Sequence, residues 1–346
     1  MKSTSKRSRV RVVAPSSTVP QVELDMGLKR LADAGFAAEV ADQVRETWYL
    51  HAGTDGARAQ AIYDAGRDPH VDILWCARGG YGAAKLLPLL DELTEKHGAP
   101  DPKLLIGYSD ITILNHYTRL KWGWGTMHAN MPATLSFNSM AESEFDTTMK
   151  WARGELCEPA WSGQTFEYLA CPPSEPVRGE VVGGNVSVWN SLYGTPWSPG
   201  SITGKILFFE DLNEYHYRLD GLVTHLLQAG GLDGVAGIVL GDFTNCDDEA
   251  GTCLAAPVEG EERSLLLKEG LDALPAERAQ PLRPQVPQRD ALEHMLVAPA
   301  RDRGIPVMKG LPVGHGPGFA PLPLGSVFEM TPEGAFNLVS WDWLSE

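Results

Sequence analysis

Short apolar runs alternate with helix-spaced apolar positions through the first third of the chain. Residues 10–14 read as a strand stopped by Pro15. Over 24–34 the apolar residues Leu24, Leu28 and Leu31 fall on one helix face, and Gly35 closes the helix as its C-cap. A second helix is predicted over 57–65. Residues 71–76 form a buried strand, a glycine-rich turn follows, and a helix runs over 83–90. The next strand covers 104–108. The next helix covers 110–120, with Ile111, Leu114 and Tyr117 on one face. Repeated β–α units predict a parallel sheet covered by helices. Ligands of such sheets bind beyond the carboxyl ends of the strands. The turns after Cys76 and after Ile106 both lie at such ends.

The pattern changes near residue 151. Pro159, Gly163, Pro172, Pro173 and Pro176 interrupt it, so 156–176 reads as a linker between a domain of residues 1–155 and one of residues 177–346. A strand follows over 204–209. A helix over 219–229 carries Leu219, Leu222, Val223, Leu226 and Leu227 on one stripe and ends at Gly230-Gly231. Residues 235–240 form another strand. The stretch 247–288, rich in Glu, Pro, Arg and Ala, reads as an exposed excursion. Residues 304–311 return to the core, and 326–339 read as a hairpin turning at Thr331-Pro332-Glu333-Gly334.

Composition narrows the function classes. A chain of 346 residues has room for two cores. With 29 Lys and Arg against 45 Asp and Glu, its net charge of -16 repels polyanions, which argues against nucleic-acid binding. The basic start (Lys2, Lys6, Arg7, Arg9, Arg11) is followed by no signal-peptide core, and no stretch reaches the roughly 18 apolar residues of a membrane span. A cytoplasmic protein is expected. Five scattered cysteines with no C-x-x-C pair read as reduced thiols. Neither a metal nor another cofactor is expected.

The chemistry centres on Leu104-Leu105-Ile106-Gly107-Tyr108-Ser109-Asp110-Ile111. An apolar run ends at a glycine, and a hydroxyl then sits on the strand-to-helix turn, where unpaired backbone N–H groups can hold an oxyanion. Two readings are open: Ser109 is a nucleophile, or it is the N-cap of the next helix. A serine nucleophile needs a base, and the base needs an orienting group. Of nine histidines, His315 stands out, because glycines flank it in the loop Val313-Gly314-His315-Gly316-Pro317-Gly318. His128 could line a cleft. The carboxylate is Glu210 or Asp211 at the end of the apolar run 206–209, with Glu214 and Asp220 as further candidates. Side chains alternate along a strand, so only one of Glu210 and Asp211 can face the cleft. The turn Cys76-Ala77-Arg78-Gly79-Gly80-Tyr81-Gly82 matches no phosphate-loop pattern. Its other reading is that the N–H of Gly80 joins that of Asp110 in an oxyanion hole.

Taken together and in order, several segments resemble the LD-carboxypeptidase family of serine peptidases, family S66. They are Val12-Val13-Ala14-Pro15-Ser16-Ser17, the Arg78 to Gly82 turn, Ile106-Gly107-Tyr108-Ser109-Asp110-Ile111-Thr112, Gly183-Gly184-Asn185-Val186-Ser187, Gly194-Thr195-Pro196-Trp197, Phe209-Glu210-Asp211, Tyr217-Arg218-Leu219-Asp220, and Gly310-Leu311-Pro312 with Gly314-His315. The resemblance implies a flavodoxin-like parallel-sheet domain followed by a smaller β-rich α/β domain, with the active site between them. It implies a metal-independent Ser109–Glu210–His315 triad, an oxyanion hole from Gly80 and Asp110, and a homodimer. Arg78, Gly79 and Asn185 are the candidate substrate-binding residues.

Such enzymes hydrolyse an L–D peptide bond and release terminal D-alanine from cytoplasmic murein tetrapeptides. A second branch of the family inactivates microcin C-type peptide–nucleotide antibiotics; the Arg78 to Gly82 turn looks more like the murein branch. Three departures bear on substrate choice. His128-Ala129-Asn130 stands where the family often has His-Gly-Pro, the loop after His315 lacks the usual asparagine, and 247–288 is long. A rival from another class is a non-catalytic module that binds phosphate or an acidic peptide on its glycine loops. It predicts that Ser109 lies far from His315.

Overall fold

The computed structural model describes residues 8–247, 252–254, 259–270, 274–281, 286–316 and 318–344. The basic start of the chain and parts of the 247–288 excursion lie outside them. Its strands, in chain order, are β1 (Arg9–Val13), β2 (Ala37–Val40), β3 (Ile73–Cys76), β4 (Leu104–Ile106), β5 (Gly125–His128), β6 (Glu167–Ala170), β7 (Val177–Asn185), β8 (Ile206–Leu212), β9 (Gly237–Thr244), β10 (Thr252–Leu254), β11 (Ala279–Pro281), β12 (Val307–Lys309), β13 (Leu322–Leu324), β14 (Val327–Met330) and β15 (Phe336–Ser340).

The first sheet runs β2-β1-β3-β4-β5 with every pair parallel, and β13 adds to it antiparallel to β5. The five parallel strands have the flavodoxin-like order. Helices cover both faces, so alternate residues of one strand enter different cores. Leu74, Cys76 and Leu105 face one side; Ile73, Trp75, Leu104 and Ile106 face the other. That double burial explains the unbroken apolar runs. Strands β2 and β5 escape the hydrophobic pattern because Ala37-Ala38-Glu39-Val40 and Gly125-Thr126-Met127-His128 are short and mixed in polarity.

The second sheet runs β15-β14-β7-β8-β9-β12-β6, parallel from β7 through β12 and antiparallel at its edges. Residues 156–176, expected to be a linker, are built into it. Trp161 is buried against Phe328 and Phe336, and β6 pairs with β12. The prolines there break periodicity without freeing the chain, because one large aromatic side chain anchors the segment. In the excursion, β10 and β11 form an antiparallel ribbon, and the helix Gly260–Glu269 buries none of its side chains.

The helix Thr112–Trp122 lies between the two sheets. Leu114 and Tyr117 share one core with Val182, Trp189 and Leu207. His116 sits in this seam, its Nε2 bonded to the Trp197 carbonyl at 3.1 Å and its ring edge-on to Trp189. Burial is the main cause lowering its pKa from 6.5 to about 4. The folded state therefore holds His116 neutral while the unfolded chain binds a proton below pH 6.5. Its contribution is present above 6.5 and is lost as pH falls toward 4. The difference in urea-unfolding free energy between wild type and His116→Gln should shrink by about 3 kcal/mol between pH 7 and pH 4. A pH-independent difference would contradict this.

Candidate active site

The parallel strands β4 and β8 end at one cleft, and each carries an acidic or hydroxyl side chain just past its apolar run. After β4 the chain turns through Tyr108 into a tight helical turn, Ser109–Ile111, that continues as the helix Thr112–Trp122. Ser109 occupies the left-handed region at φ 63°, a conformation that costs a non-glycine residue on the order of 1–2 kcal/mol. Tyr108 is the N-cap of that turn, with no side-chain cap bond. Ser109 Oγ has no hydrogen-bond partner among the described residues. The hydroxyl is not consumed as a helix cap and stands half-exposed at the turn.

Asp110 points the other way. Its buried carboxylate accepts from Ser16 Oγ at 2.6 Å and from the Ala83 N–H at 2.9 Å, which ties the β1 and β3 turns to the serine turn. Burial is the first cause raising its pKa. Being in the first helical turn, its own N–H lacks an intrahelical acceptor. The glycine turn closes against the serine: a Cβ on Gly79 would lie 3.2 Å from Ser109 Cβ and 3.4 Å from Oγ. Gly80 adopts φ 115°, and a Cβ there would lie 2.2 Å from Ser17 Oγ, so only glycine fits. Arg78 is half-buried and donates to the Thr18 carbonyl at 3.2 Å. It has no carboxylate partner among the described residues.

Alternation along β8 separates the two acidic candidates. Glu210 is fully buried, and its Oε2 accepts from His315 Nδ1 at 2.6 Å. Asp211 faces away. It accepts from Asn185 Nδ2 and the Ser187 N–H, both at 2.9 Å. Burial, and secondarily the Glu210 charge, push the Asp211 pKa up to about 6. Glu214 pairs with Arg218 and Asp220 is exposed, so neither joins the cleft. The bond to Glu210 places the proton on His315 Nδ1 and leaves Nε2 with a lone pair. This is the arrangement a general base needs.

Residues 310–321 carry His315 over the first sheet. Leu240 accepts from the N–H groups of Gly310 and Leu311, and the Asp242 N–H donates to the Val313 carbonyl. The loop then runs into β13 and so docks on β5. The His315 ring meets Tyr108 at a centroid distance of 4.8 Å, one residue from Ser109. No hydrogen bond joins Ser109 Oγ to His315; without substrate such contacts are often long and tighten on binding. A cleft of about 460 Å³ opens on the Tyr108 and His315 side of the site and is lined by Arg78, Tyr108, Ser136, Leu212, His315 and Phe319. A larger hollow of about 620 Å³ is lined by no histidine. There Glu180 is held by Arg119 and Lys205, and Lys103 is held by backbone carbonyls.

Asn185, expected to touch substrate, is buried. Its amide is used internally: it donates to Asp211, and its oxygen accepts from Ser187 Oγ and the Val188 N–H. It holds the ends of β7 and β8 together instead of facing the cleft. Sequence reasoning missed Tyr108 and Phe319, which wall the site, and Asp242, whose carboxylate lies against Gly316 beside His315. The sign was available for Asp242, since it follows the apolar run of β9 much as Glu210 ends that of β8. Among the described residues no group of three or more His, Cys, Asp or Glu could hold a metal ion.

A family model described as the LD-carboxypeptidase N-terminal domain matches residues 10–129, and one described as the LD-carboxypeptidase C-terminal domain matches residues 178–330. A Bacillus subtilis protein named "Probable murein peptide carboxypeptidase" is 31% identical over 274 residues, covering 78% of this chain and 80% of its own. Two solved structures share the fold. Muramoyltetrapeptide carboxypeptidase from Oxalobacter formigenes superposes with a TM-score of 0.67 at 23% identity, over 96% of this chain and 99% of that one. The microcin C7 self-immunity protein MccF superposes with a TM-score of 0.72 at 21% identity, over 98% and 97%.

Proposed function

Because the chain belongs to the LD-carboxypeptidase family, we propose that it is a serine carboxypeptidase that releases the terminal D-alanine of murein tetrapeptides by cleaving an L–D peptide bond. The observation that carries this reading is the 2.6 Å bond between His315 Nδ1 and the buried Glu210 carboxylate, beside the strained Ser109 turn. His315 Nε2 takes the proton of Ser109 as Oγ attacks the scissile carbonyl. Glu210 holds the imidazole and stabilises its charged form. The N–H groups of Gly80 and Asp110 face the developing oxyanion, each such donor being worth about 3 to 4 kcal/mol. His315 then protonates the departing amine, and water hydrolyses the acyl-enzyme. Gly79 gives the substrate backbone room beside Ser109.

Arg78 is the carboxylate-recognition group in this reading. A guanidinium with no acidic partner at the rim of a peptide cleft is suited to a bidentate C-terminal carboxylate. Arg78→Met should raise KM for a tetrapeptide 10- to 100-fold, as expected for a hydrogen bond to a charged group, with a smaller change in kcat. An unchanged KM would remove Arg78 from substrate binding. A peptide–nucleotide conjugate of the microcin type, the second substrate class, offers no such terminal carboxylate. Incubation with murein tri-, tetra- and pentapeptides and with a peptide–nucleotide, read by mass spectrometry, tests the assignment. Loss of one alanine from the tetrapeptide is expected; cleavage of the conjugate alone would transfer the enzyme to the other branch. We place the enzyme in the cytoplasm as a homodimer, in keeping with a substrate that arises from wall recycling.

A further inference from the structure

The Glu210 carboxylate is half satisfied. It is fully buried, Oε2 receives the His315 proton, and Oε1 has no hydrogen-bond partner among the described residues. A buried anionic oxygen without a donor is costly. The polar atom facing it is His128 Nε2, 4.0 Å away. His128 is itself fully buried at the end of β5, and neither of its ring nitrogens has a hydrogen-bond partner. Its ring is boxed by Tyr108 and Phe208 edge-on and by Phe319 stacked at 5.8 Å. Two orphaned polar groups thus face each other inside one apolar enclosure, immediately behind the carboxylate–imidazole pair.

We infer that His128 is a positioning residue for the hydrolytic centre, its Nε2–H directed at Oε1 of Glu210 so that Oε2 stays turned toward His315. This rests on the serine-peptidase reading above. At 4.0 Å the contact is a charge–dipole interaction and not yet a hydrogen bond; a small closure of the cleft would make it one. The titratable groups around the ring are Glu210 from β8, His315 from the 310–321 loop and Tyr108 from the β4 turn. Burial is the first cause lowering the His128 pKa, to about 4, against the opposing pull of Glu210. At neutral pH the ring is therefore an uncharged donor. A second cation there would compete with His315 for the same carboxylate; a neutral N–H orients the carboxylate and leaves its charge available.

The test compares His128→Phe, which keeps an aromatic ring in the box, with His128→Gln, whose amide can present an N–H to Oε1. For the Phe variant kcat should fall about tenfold with KM unchanged. Without the donor, Oε2 is no longer held toward His315 and Glu210 stabilises the imidazolium less, so the acid limb of the pH profile of kcat/KM should move to lower pH. The Gln variant should recover most of both changes. A Phe variant with wild-type kcat and an unmoved acid limb overturns the inference. Should the Phe variant fail to fold, side-chain nitrogen NMR of the wild-type protein decides: a neutral His128 protonated at Nε2 supports the inference, and one protonated at Nδ1 overturns it. If Ser109→Ala abolishes hydrolysis while His128→Phe does nothing, only the role of His128 falls; a fully active Ser109→Ala defeats the underlying reading instead.

Discussion

Replacing Ser109 by alanine is expected to lower turnover on the order of 10⁴-fold or more and to leave the thermal transition in place. The substitution removes one oxygen that has no hydrogen-bond partner among the described residues, so folding loses no bond. What remains is the activity supplied by binding and by the oxyanion donors. Ser109→Gly sharpens the expectation. The left-handed backbone at φ 63° carries a strain of about 1–2 kcal/mol that glycine does not feel, partly offset by the larger entropy of an unfolded glycine. That variant should be as inactive as Ser109→Ala yet at least as resistant to urea. An inactive enzyme with improved or equal stability is the signature of strain kept for function. A glycine variant that unfolds markedly sooner would show that the turn is held for another reason.

The second large effect is expected at Glu210. Glu210→Gln conserves shape but exchanges a charge for an amide in a fully buried position. The amide oxygen can still accept the His315 Nδ1 proton, but if the amide turns, its NH₂ group forces the opposite tautomer and places a hydrogen on Nε2. Either way the imidazolium formed during attack loses its counter-charge. Turnover should fall on the order of 10³- to 10⁴-fold with little change in KM. Asp211→Asn is the matched control. It lies next in sequence but points to Asn185 and Ser187, so its effect should be on the packing of the β7 and β8 ends and far smaller on kcat. Equal losses at both positions would contradict the division of labour along β8.

Three strands of the first sheet, β1, β3 and β4, were legible in the sequence because both faces of the sheet are buried, which writes strands such as Ile73–Cys76 as plain apolar runs. The closing hairpin was legible from its turn residues. Strand β13 was not, because Leu322-Pro323-Leu324 is three residues long and gains its meaning only by pairing with β5, nearly two hundred residues away in sequence. That pairing is what carries His315 over the serine turn, so local pattern could single out the histidine without placing it. The choice between Glu210 and Asp211 was likewise closed to periodicity. The two alternate by construction, and the deciding partner of Glu210 lies 105 positions further on. Asn185 misled for a related reason. Its glycine context suggested a cleft, but an asparagine that ends a strand and opens the helix Val186–Asn190 is an equally good cap, and the structure uses it so. His128 gave a residue type without a partner, since nothing near it in sequence announces Glu210.

The central claim is that one alcohol, one imidazole and one carboxylate act as a single nucleophilic centre. Reaction of the folded protein with a fluorophosphonate, followed by peptide mapping, tests it most directly. The expected result is one adduct on Ser109, absent from Ser109→Ala and formed far more slowly in Glu210→Gln. A folded wild-type protein that stays unlabelled, or an adduct that persists in Ser109→Ala, would contradict it.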